Sequence, residues 1–367
     1  MIRQWLSAAI TGSRPVWSFA PEQDIHAFIA EADGEGICAL LHEQISRNEL
    51  WADQMPVAFR EGIAQLAREK ALQSLLREHE CKRVLALLGQ ASVSVLLLKG
   101  TALAYWAYET PHARERGDID LFLRSKAEVD IAVKLLAGLK FELVETALSG
   151  DLISFEVTAR REMKNGIPLE IDLHWHLSNT PMFAFRFGFD ELMDNAVSLP
   201  KLAQNAYGLA PVPAYLHACM HRIQNMSIGA ENNLRWLFDL YVLGQKFSTQ
   251  NWQELLDTAK EKQLAEVCVD SLQAAAICFG AQAPHEIVTQ LAQAAKHEPM
   301  DVAKMHSWFY IQRMNFFAYP RWRQRFRWLR QRLLPDIAYL QSYYGEEQGF
   351  WRMLGARVKG GLRRFKS

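Results

Sequence analysis

Residues 93–124, VSVLLLKGTALAYWAYETPHARERGDIDLFLR, decide how this chain is read. VSVLLLKG is a short apolar run that stops at Gly100, the pattern of a buried strand running into a turn. A helical stretch follows from Thr101 to Tyr108, and TPHARERG is a polar loop. GDIDLFLR then alternates acid and apolar residues with the period of two expected of a strand, which turns Asp118 and Asp120 to one face and Ile119 and Leu121 to the core. Downstream, SKAEVDIAVKLLAGLK predicts a helix, with Ser125 as its N-cap and Glu128 three places on. FELVETAL, ISFEVTARREM and IPLEIDLHWHL follow as strands, the last two separated by Asn165-Gly166, a strong hairpin signal. Residues 92–178 are thus expected to form an α/β (α+β) unit in the order strand, helix, strand, helix, strand, strand, strand.

The rest reads as helix. AFREGIAQLAREKALQSLLREHECKRVLALL, residues 58–88, carries apolar residues at three- and four-residue spacing, and helical text resumes from Pro211. Half of the 367 residues are hydrophobic and 22% are charged; eleven Trp, nineteen Phe and ten Tyr supply too much apolar surface for a disordered chain. No window approaches ~18 consecutive apolar residues, so no membrane-spanning helix is expected. The start, MIRQWLSAAITGSRPVW, reads as a first helix rather than a secretory leader, and a cytoplasmic location is expected. Cys38, Cys81, Cys219, Cys268 and Cys278 are odd in number and include no C-x-x-C pair, which suits buried thiols in a reducing compartment. The 41 basic and 41 acidic residues cancel overall but not locally: Arg313 to Lys366 holds thirteen Lys/Arg against three acids, so this +10 tail leaves about −10 for the preceding residues.

The acids carry the chemistry. Two carboxylates about 7 Å apart along a strand repel unless a cation sits between them, and hard oxygen ligands of this kind suit Mg²⁺. IPLEIDLHWHL places Glu170, Asp172, His174 and His176 on one face of another strand; beside the first, Asp172 completes a site for one or two metals, with Mn²⁺ the other ion such a set accepts. Upstream, Gly100 lets backbone approach a phosphate and the helix start offers free N–H groups. Lys99 and Thr101 add a charge and a hydroxyl, and Arg114 and Arg116 can neutralise the remainder of a triphosphate.

This order resembles the nucleotidyltransferase superfamily of the DNA polymerase β fold: a hydrophobic strand ending in a small-residue turn, then acid-x-acid, then a third acid on a neighbouring strand. It is more closely similar to the bacterial group of uncharacterised nucleotidyltransferases, through Leu98-Lys99-Gly100-Thr101-Ala102, Arg114, Asp118-Ile119-Asp120-Leu121 and Asp172-Leu173-His174-Trp175. A helical segment with His217 and His221, followed by Leu234-Arg235-Trp236-Leu237-Phe238-Asp239, extends the likeness over roughly residues 60–345. Thr101 stands where the superfamily usually has Ser or Gly, and sixteen residues separate it from Asp118, more than in many relatives. The resemblance implies a small mixed polymerase β-type sheet embedded in a mostly helical protein. The organisation expected is a helical region over 1–90, the catalytic core over 91–180, a helical domain over 181–300 and a basic aromatic region over 301–367. It also implies that Asp118 and Asp120 bridge two Mg²⁺ ions, that Asp172 holds one of them, and that an NMP passes from an NTP to an acceptor hydroxyl. A small molecule or sugar is the first expectation for that acceptor, with RNA or protein as others. The alternatives are a binding or scaffold protein that keeps the fold without turnover, and a nucleotidylating toxin acting on tRNA or protein.

Several residues stay open at this stage. Glu170 reads either as part of the site or as a surface acid, and His174 as a neighbour of the metal, an acceptor contact or a packed core residue. His176 reads as structural, while His221 and Arg235 can line an acceptor pocket. Arg235 and Asp239, four apart on a helix, can equally form an internal ion pair. A zinc site from His174, His176, His217 and His221 lacks any accompanying Cys. RMNFFAYPRWRQRFRWLRQRLLP interleaves Arg321, Arg323, Arg325 and Arg327 with aromatics, which fits nucleic acid, an anionic membrane surface touched peripherally, or the acidic body of the chain itself.

Overall fold

The computed structural model of the chain describes residues 1–19, 25–144, 150–163, 166–335, 337–344 and 349–364. Among these residues seven strands form one mixed sheet: β1 (Val95–Leu97), β2 (Ile119–Leu123), β3 (Glu142–Leu143), β4 (Glu156–Glu162), β5 (Pro168–His174), β6 (Val197–Ser198) and β7 (Tyr207–Gly208), in the spatial order β3-β4-β5-β2-β1-β7-β6. The helices used below are α1 (Val57–Gln90), α2 (Lys99–Trp106), α3 (Lys126–Gly138), α4 (Pro211–Gln224), α5 (Leu234–Gln245) and α6 (Trp322–Leu333). From β1 to β5 the elements run strand, helix, strand, helix, strand, strand, strand, as the hydrophobic periodicity predicts. Ser125 caps α3, its Oγ accepting from the Glu128 N–H.

Alternation along the strands sorts the sheet into two faces. Val95, Leu97, Ile119, Leu121, Leu123, Leu169, Ile171 and Leu173 turn one way and pack under α3 and the C-terminal half of α1. Leu96 and Phe122 turn the other way, into a larger core shared with the N-terminal helices and with the helices that follow Pro211. The 34-residue α1 spans both cores. Phe59 and Ile63 enter the larger one, Val84, Leu85 and Leu88 the sheet core, and between them Ser74, Arg77 and Glu80 form a buried polar belt. Among the described residues no helix is long and apolar enough to cross a membrane.

The pairing sets which side chains meet. β2 and β5 run parallel with Asp120 beside Asp172 and Phe122 beside His174. β4 and β5 form an antiparallel hairpin that sets Thr158 opposite Asp172 and Glu156 opposite His174. Gly166 takes a left-handed φ of +74° in this reversal, while Asn165 lies outside the described residues. Only Glu142 and Leu143 of FELVETAL pair as a strand, and residues 145–149 are also outside the description. The strands β6 and β7 escape sequence reading altogether, because two residues each are too few to show alternation; β7 nevertheless extends the sheet by pairing parallel to β1.

A buried ion pair ties the sheet unit to the helices. Arg114 donates to Asp239 of α5 through Nε (2.7 Å) and Nη2 (2.6 Å), and Tyr108 Oη donates to the same carboxylate at 2.7 Å. Asp239 therefore pairs with Arg114 across the chain, not with Arg235 one turn away; of the two readings of Arg235 and Asp239 the internal ion pair falls, and both residues line the cleft described below. The planar guanidinium matches both carboxylate oxygens, which an i,i+4 neighbour on the same helix does not offer as well. Truncating one partner strands the other without its counter-charge, so Asp239→Ala is expected to lower unfolding free energy by ~3–5 kcal/mol in urea titration. An Arg114→Met/Asp239→Leu double variant is expected to recover much of that loss; equal destabilisation by both variants would contradict a net desolvation penalty.

Candidate active site

The turn after β1 brings the first groups together. The Leu98 N–H donates to the Asp120 carbonyl at 3.1 Å, and Lys99 then takes a left-handed backbone, with φ of +48°. That conformation costs a non-glycine residue about 1 kcal/mol. Gly100, expected to give a phosphate close approach, does not carry the positive φ. Its missing side chain matters for space instead: a Cβ there would lie 3.1 Å from Arg114 Cζ. The group that comes close to Gly100 is thus the guanidinium held by Asp239. Thr101 donates its hydroxyl to the Asp118 carbonyl at 3.2 Å, fixing the start of α2 against the start of β2.

Asp120, Asp172 and His174 each offer a ligand atom within 4.8 Å of the other two. Asp120 is 1% exposed and His174 2%. Lys99 Nζ donates to Asp120 Oδ1 at 2.6 Å, and His174 Nε2 lies 3.1 Å from the same oxygen. Burial opposes ionisation of Asp120, but Lys99 and His174 outweigh it and hold the carboxyl well below the usual carboxylate range. Burial also works against the charge on Lys99, and the adjacent Asp120 and Asp118 overcome it and raise its pKa. Asp172 accepts a 2.6 Å hydrogen bond from Thr158 Oγ1, yet burial lifts its pKa above the ordinary value. On the far side of the imidazole, His174 Nδ1 is 3.1 Å from Glu156 Oε2 but makes no aligned hydrogen bond. A carboxylate behind a histidine whose other nitrogen faces two aspartates is the arrangement of a metal-ligating histidine with its orienting partner.

Asp118 was expected in the same cluster and is not part of that 4.8 Å group. It stands just before the start of β2 on the wall of the adjoining cleft, where its pKa is raised, chiefly by the charge of Asp120 and next by burial. Asp172, the expected third carboxylate, is in the group, and His174 takes the place expected for Asp118. Glu156 and Thr158 were missed altogether: alternation put them on one face of their strand, but only the hairpin register shows that this face meets Asp172 and His174.

The cleft, a cavity of about 120 Å³, lies between α2 and the paired helices α4 and α5. Lys99, Gly100, Thr101, Arg114, Arg116 and Arg235 line it, so the residues expected at a triphosphate share one wall system. Within it Arg114 is committed to Asp239, whereas Arg116 reaches back to Ser74 of α1 and lies 5.2 Å from the Tyr105 ring centroid. Buried Nε atoms of Arg116 and Arg235 and the indole Nε1 of Trp106 find no hydrogen-bond partner. Unsatisfied buried donors are costly, and three around one cleft fit an anionic occupant. His217 and His221 project from one face of α4; burial, then the charge of Lys99, depresses both, His217 to about 3. They are neutral imidazoles, and His221 meets the Trp236 ring edge-on at 4.6 Å.

The remaining candidates lie elsewhere. Glu170 pairs with Arg160 across the β4–β5 hairpin, its carboxylate accepting from Nε at 2.7 Å. His176 falls beyond the end of β5 and packs edge-on against Phe155 and Phe185. Arg321, Arg323, Arg325 and Arg327 belong to α6 or its N-cap; Arg325 Nε donates to the Tyr319 carbonyl and Arg327 pairs with Asp151.

Compared with known protein families, residues 21–280 match one described as uncharacterised nucleotidyltransferases. The chain belongs to that family. The match covers the sheet, the acids, the cleft and the helices carrying His217, His221 and Arg235. No curated protein matches this nucleotidyltransferase-family chain.

The neutral histidines make a stability prediction. The folded-state pKa of His217 is depressed below its ordinary value of 6.5, so its contribution is fully present above about 6.5 and is lost as pH falls towards 3. At pH 5 the loss amounts to about 2 kcal/mol for this one group. Urea midpoints at pH 7 and pH 5 are expected to diverge less for His217→Gln than for the wild type. An unchanged pH dependence would mean that this imidazole is not held neutral.

Proposed function

We propose that this chain is a divalent-metal-dependent nucleotidyltransferase that moves a nucleoside monophosphate from an NTP to a hydroxyl acceptor and releases pyrophosphate. The single observation that carries the reading is the meeting of Asp120, Asp172 and His174, backed by Glu156, beside a cleft rich in unsatisfied cationic donors. Two carboxylate oxygens and an imidazole nitrogen fit a divalent cation, and the nitrogen makes Mn²⁺ as suitable as Mg²⁺. Asp120, Asp172 and His174 would hold one ion, and Asp118, which forms no ion pair with a described residue, would help to hold a second on the cleft side. Bound there, such ions supply positive charge for the reacting phosphate and the departing pyrophosphate.

The chain's own groups do the rest. Arg116, Arg235 and the free N–H groups at the start of α2 bind the triphosphate, giving the orphaned guanidinium nitrogens an anion to meet. Arg114 is held rigid by Asp239 and Tyr108 and sets the width of the turn at Gly100. The acceptor oxygen attacks the α-phosphorus as the bond to the bridging oxygen of pyrophosphate breaks, and the proton of the hydroxyl passes to a carboxylate oxygen of Asp172. Trp106, Trp236 and the neutral His217 and His221 form the less polar end of the cleft. This aromatic end favours a small molecule or sugar over a nucleic acid as acceptor.

Incubation with labelled NTPs, Mg²⁺ or Mn²⁺ and cell extract is expected to transfer label to an acceptor with stoichiometric pyrophosphate. Asp118→Asn is expected to reduce transfer by two orders of magnitude or more while the fold survives, because a lost charge-stabilising group costs several kcal/mol in the transition state. Near-normal transfer by that variant would remove Asp118 from the reaction. Independently of activity, Mn²⁺ is expected to raise the Tm of the wild type, and both Asp172→Asn and His174→Ala to abolish most of that rise; a rise that persists in both variants would place the ion elsewhere.

A further inference from the structure

The helix α6 is built the wrong way round for a helix that only docks. It is anchored to the body by Trp328, 3% exposed in a cluster with Phe155, Ala184 and Tyr319, and by polar contacts of Arg325, Arg327 and Gln331. Of its other apolar residues, Leu329 is partly buried against that cluster, while Trp322, Phe326 and Leu333, spaced four and seven apart, gather at 100° per residue into one stripe well away from Trp328. That stripe faces solvent: Trp322 is 61%, Phe326 62% and Leu333 58% exposed. Arg323 and Arg330 flank it, both exposed and neither in an ion pair with a described residue. An apolar stripe edged by arginines on an otherwise strongly polar helix is the pattern of a segment lying in a membrane interface, with its rings at headgroup depth and the guanidinium groups on lipid phosphates.

We propose that this face of the chain docks on an anionic lipid bilayer. The charge on the page is complementary: residues 313–366 carry thirteen basic against three acidic side chains. Nucleic acid fits less well, because base stacking needs open ring faces and one face of Trp322 is covered. The Trp322 and Phe326 rings lie 6.0 Å apart at 32°, and Arg325 covers Trp322 at 5.0 Å and Phe317 at 5.2 Å. A second copy fits less well again, since a two-fold contact would set Arg323 and Arg330 against their own equivalents. The stripe continues past the helix through Leu334 and Ile337, which are also exposed.

The test uses the full chain and sedimentation with vesicles of phosphatidylcholine alone or mixed equally with phosphatidylglycerol. The wild type is expected to co-sediment with the mixed vesicles, less so as salt rises, and about tenfold or more weakly with phosphatidylcholine alone. Trp322→Ser/Phe326→Ser and Arg323→Glu/Arg330→Glu are each expected to weaken binding to mixed vesicles about tenfold or more, with unchanged circular dichroism, because all four side chains are exposed. Absence of wild-type binding to mixed vesicles overturns the proposal. So does undiminished binding by the serine double variant, and so does retention on single-stranded RNA, or self-association, that the same variants abolish while vesicle binding persists. None of these measurements depends on nucleotide transfer, so the docking proposal and the catalytic one fail separately.

Discussion

Four acidic side chains, Asp118, Asp120, Glu156 and Asp172, are gathered around one corner of the sheet, and the charge they concentrate is the constraint on which the rest of the site depends. Carboxylates that are removed from water and set beside one another resist ionisation, which is why Asp118, Asp172 and Glu156 all have raised pKa values. Asp120 escapes because Lys99 and His174 both reach its Oδ1. The left-handed backbone at Lys99 makes sense in these terms: a cost of about 1 kcal/mol is small against the ion pair made by the strained residue. The corner holds more negative charge than Lys99 and His174 neutralise, and it opens beside a cleft with unsatisfied donors. An ion and an anionic substrate would satisfy both.

Rigidity around that corner comes from elements far apart in sequence. The helix α1 crosses from one core to the other and leaves its polar belt, Ser74, Arg77 and Glu80, beside the start of β2. Ser74 there accepts from Arg116, and Glu80 pairs with Arg161 of β4. On the opposite wall the Arg114–Asp239 pair joins the loop before the acids to α5, with Gly100 leaving room for the guanidinium. The cleft is therefore bounded by groups whose positions are set by buried ion pairs, which is the preorganisation that charge stabilisation in a reaction needs. The helix α6 touches the same architecture from outside, since Trp328 packs on Phe155, the residue that leads into β4 and Glu156.

Much of this was legible in the chain. Period-two alternation identified β2, β4 and β5 and turned Asp120, Asp172 and His174 to one side of the sheet; the three- and four-residue spacing identified α1, α3 and α4. The two-residue strands β6 and β7 were not legible, because pairing with β1 and not local pattern creates them. Glu156 and Thr158 carried no signal of their own in ISFEVTARREM, where acid and hydroxyl residues alternate as on any solvated strand. Which of its two readings Arg235 would follow was not legible, because helical proximity to Asp239 is visible in sequence and the cross-chain bidentate contact of Asp239 with Arg114 is not.

By itself, then, the sequence determined the order of elements, the face of each strand and the supply of acids and cations, since those follow from periodicities shorter than a helical turn or a strand. Which of the supplied groups meet was decided by register and crossover. Parallel pairing of β2 with β5 set Asp120 beside Asp172, the hairpin brought Glu156 behind His174, and Asp118 was left facing the cleft. A shift of one residue in either pairing would preserve every local pattern and disperse the site. That is why the chemistry here belongs to the tertiary structure: a cluster of like charges has no local advantage and exists only where long-range packing compels it.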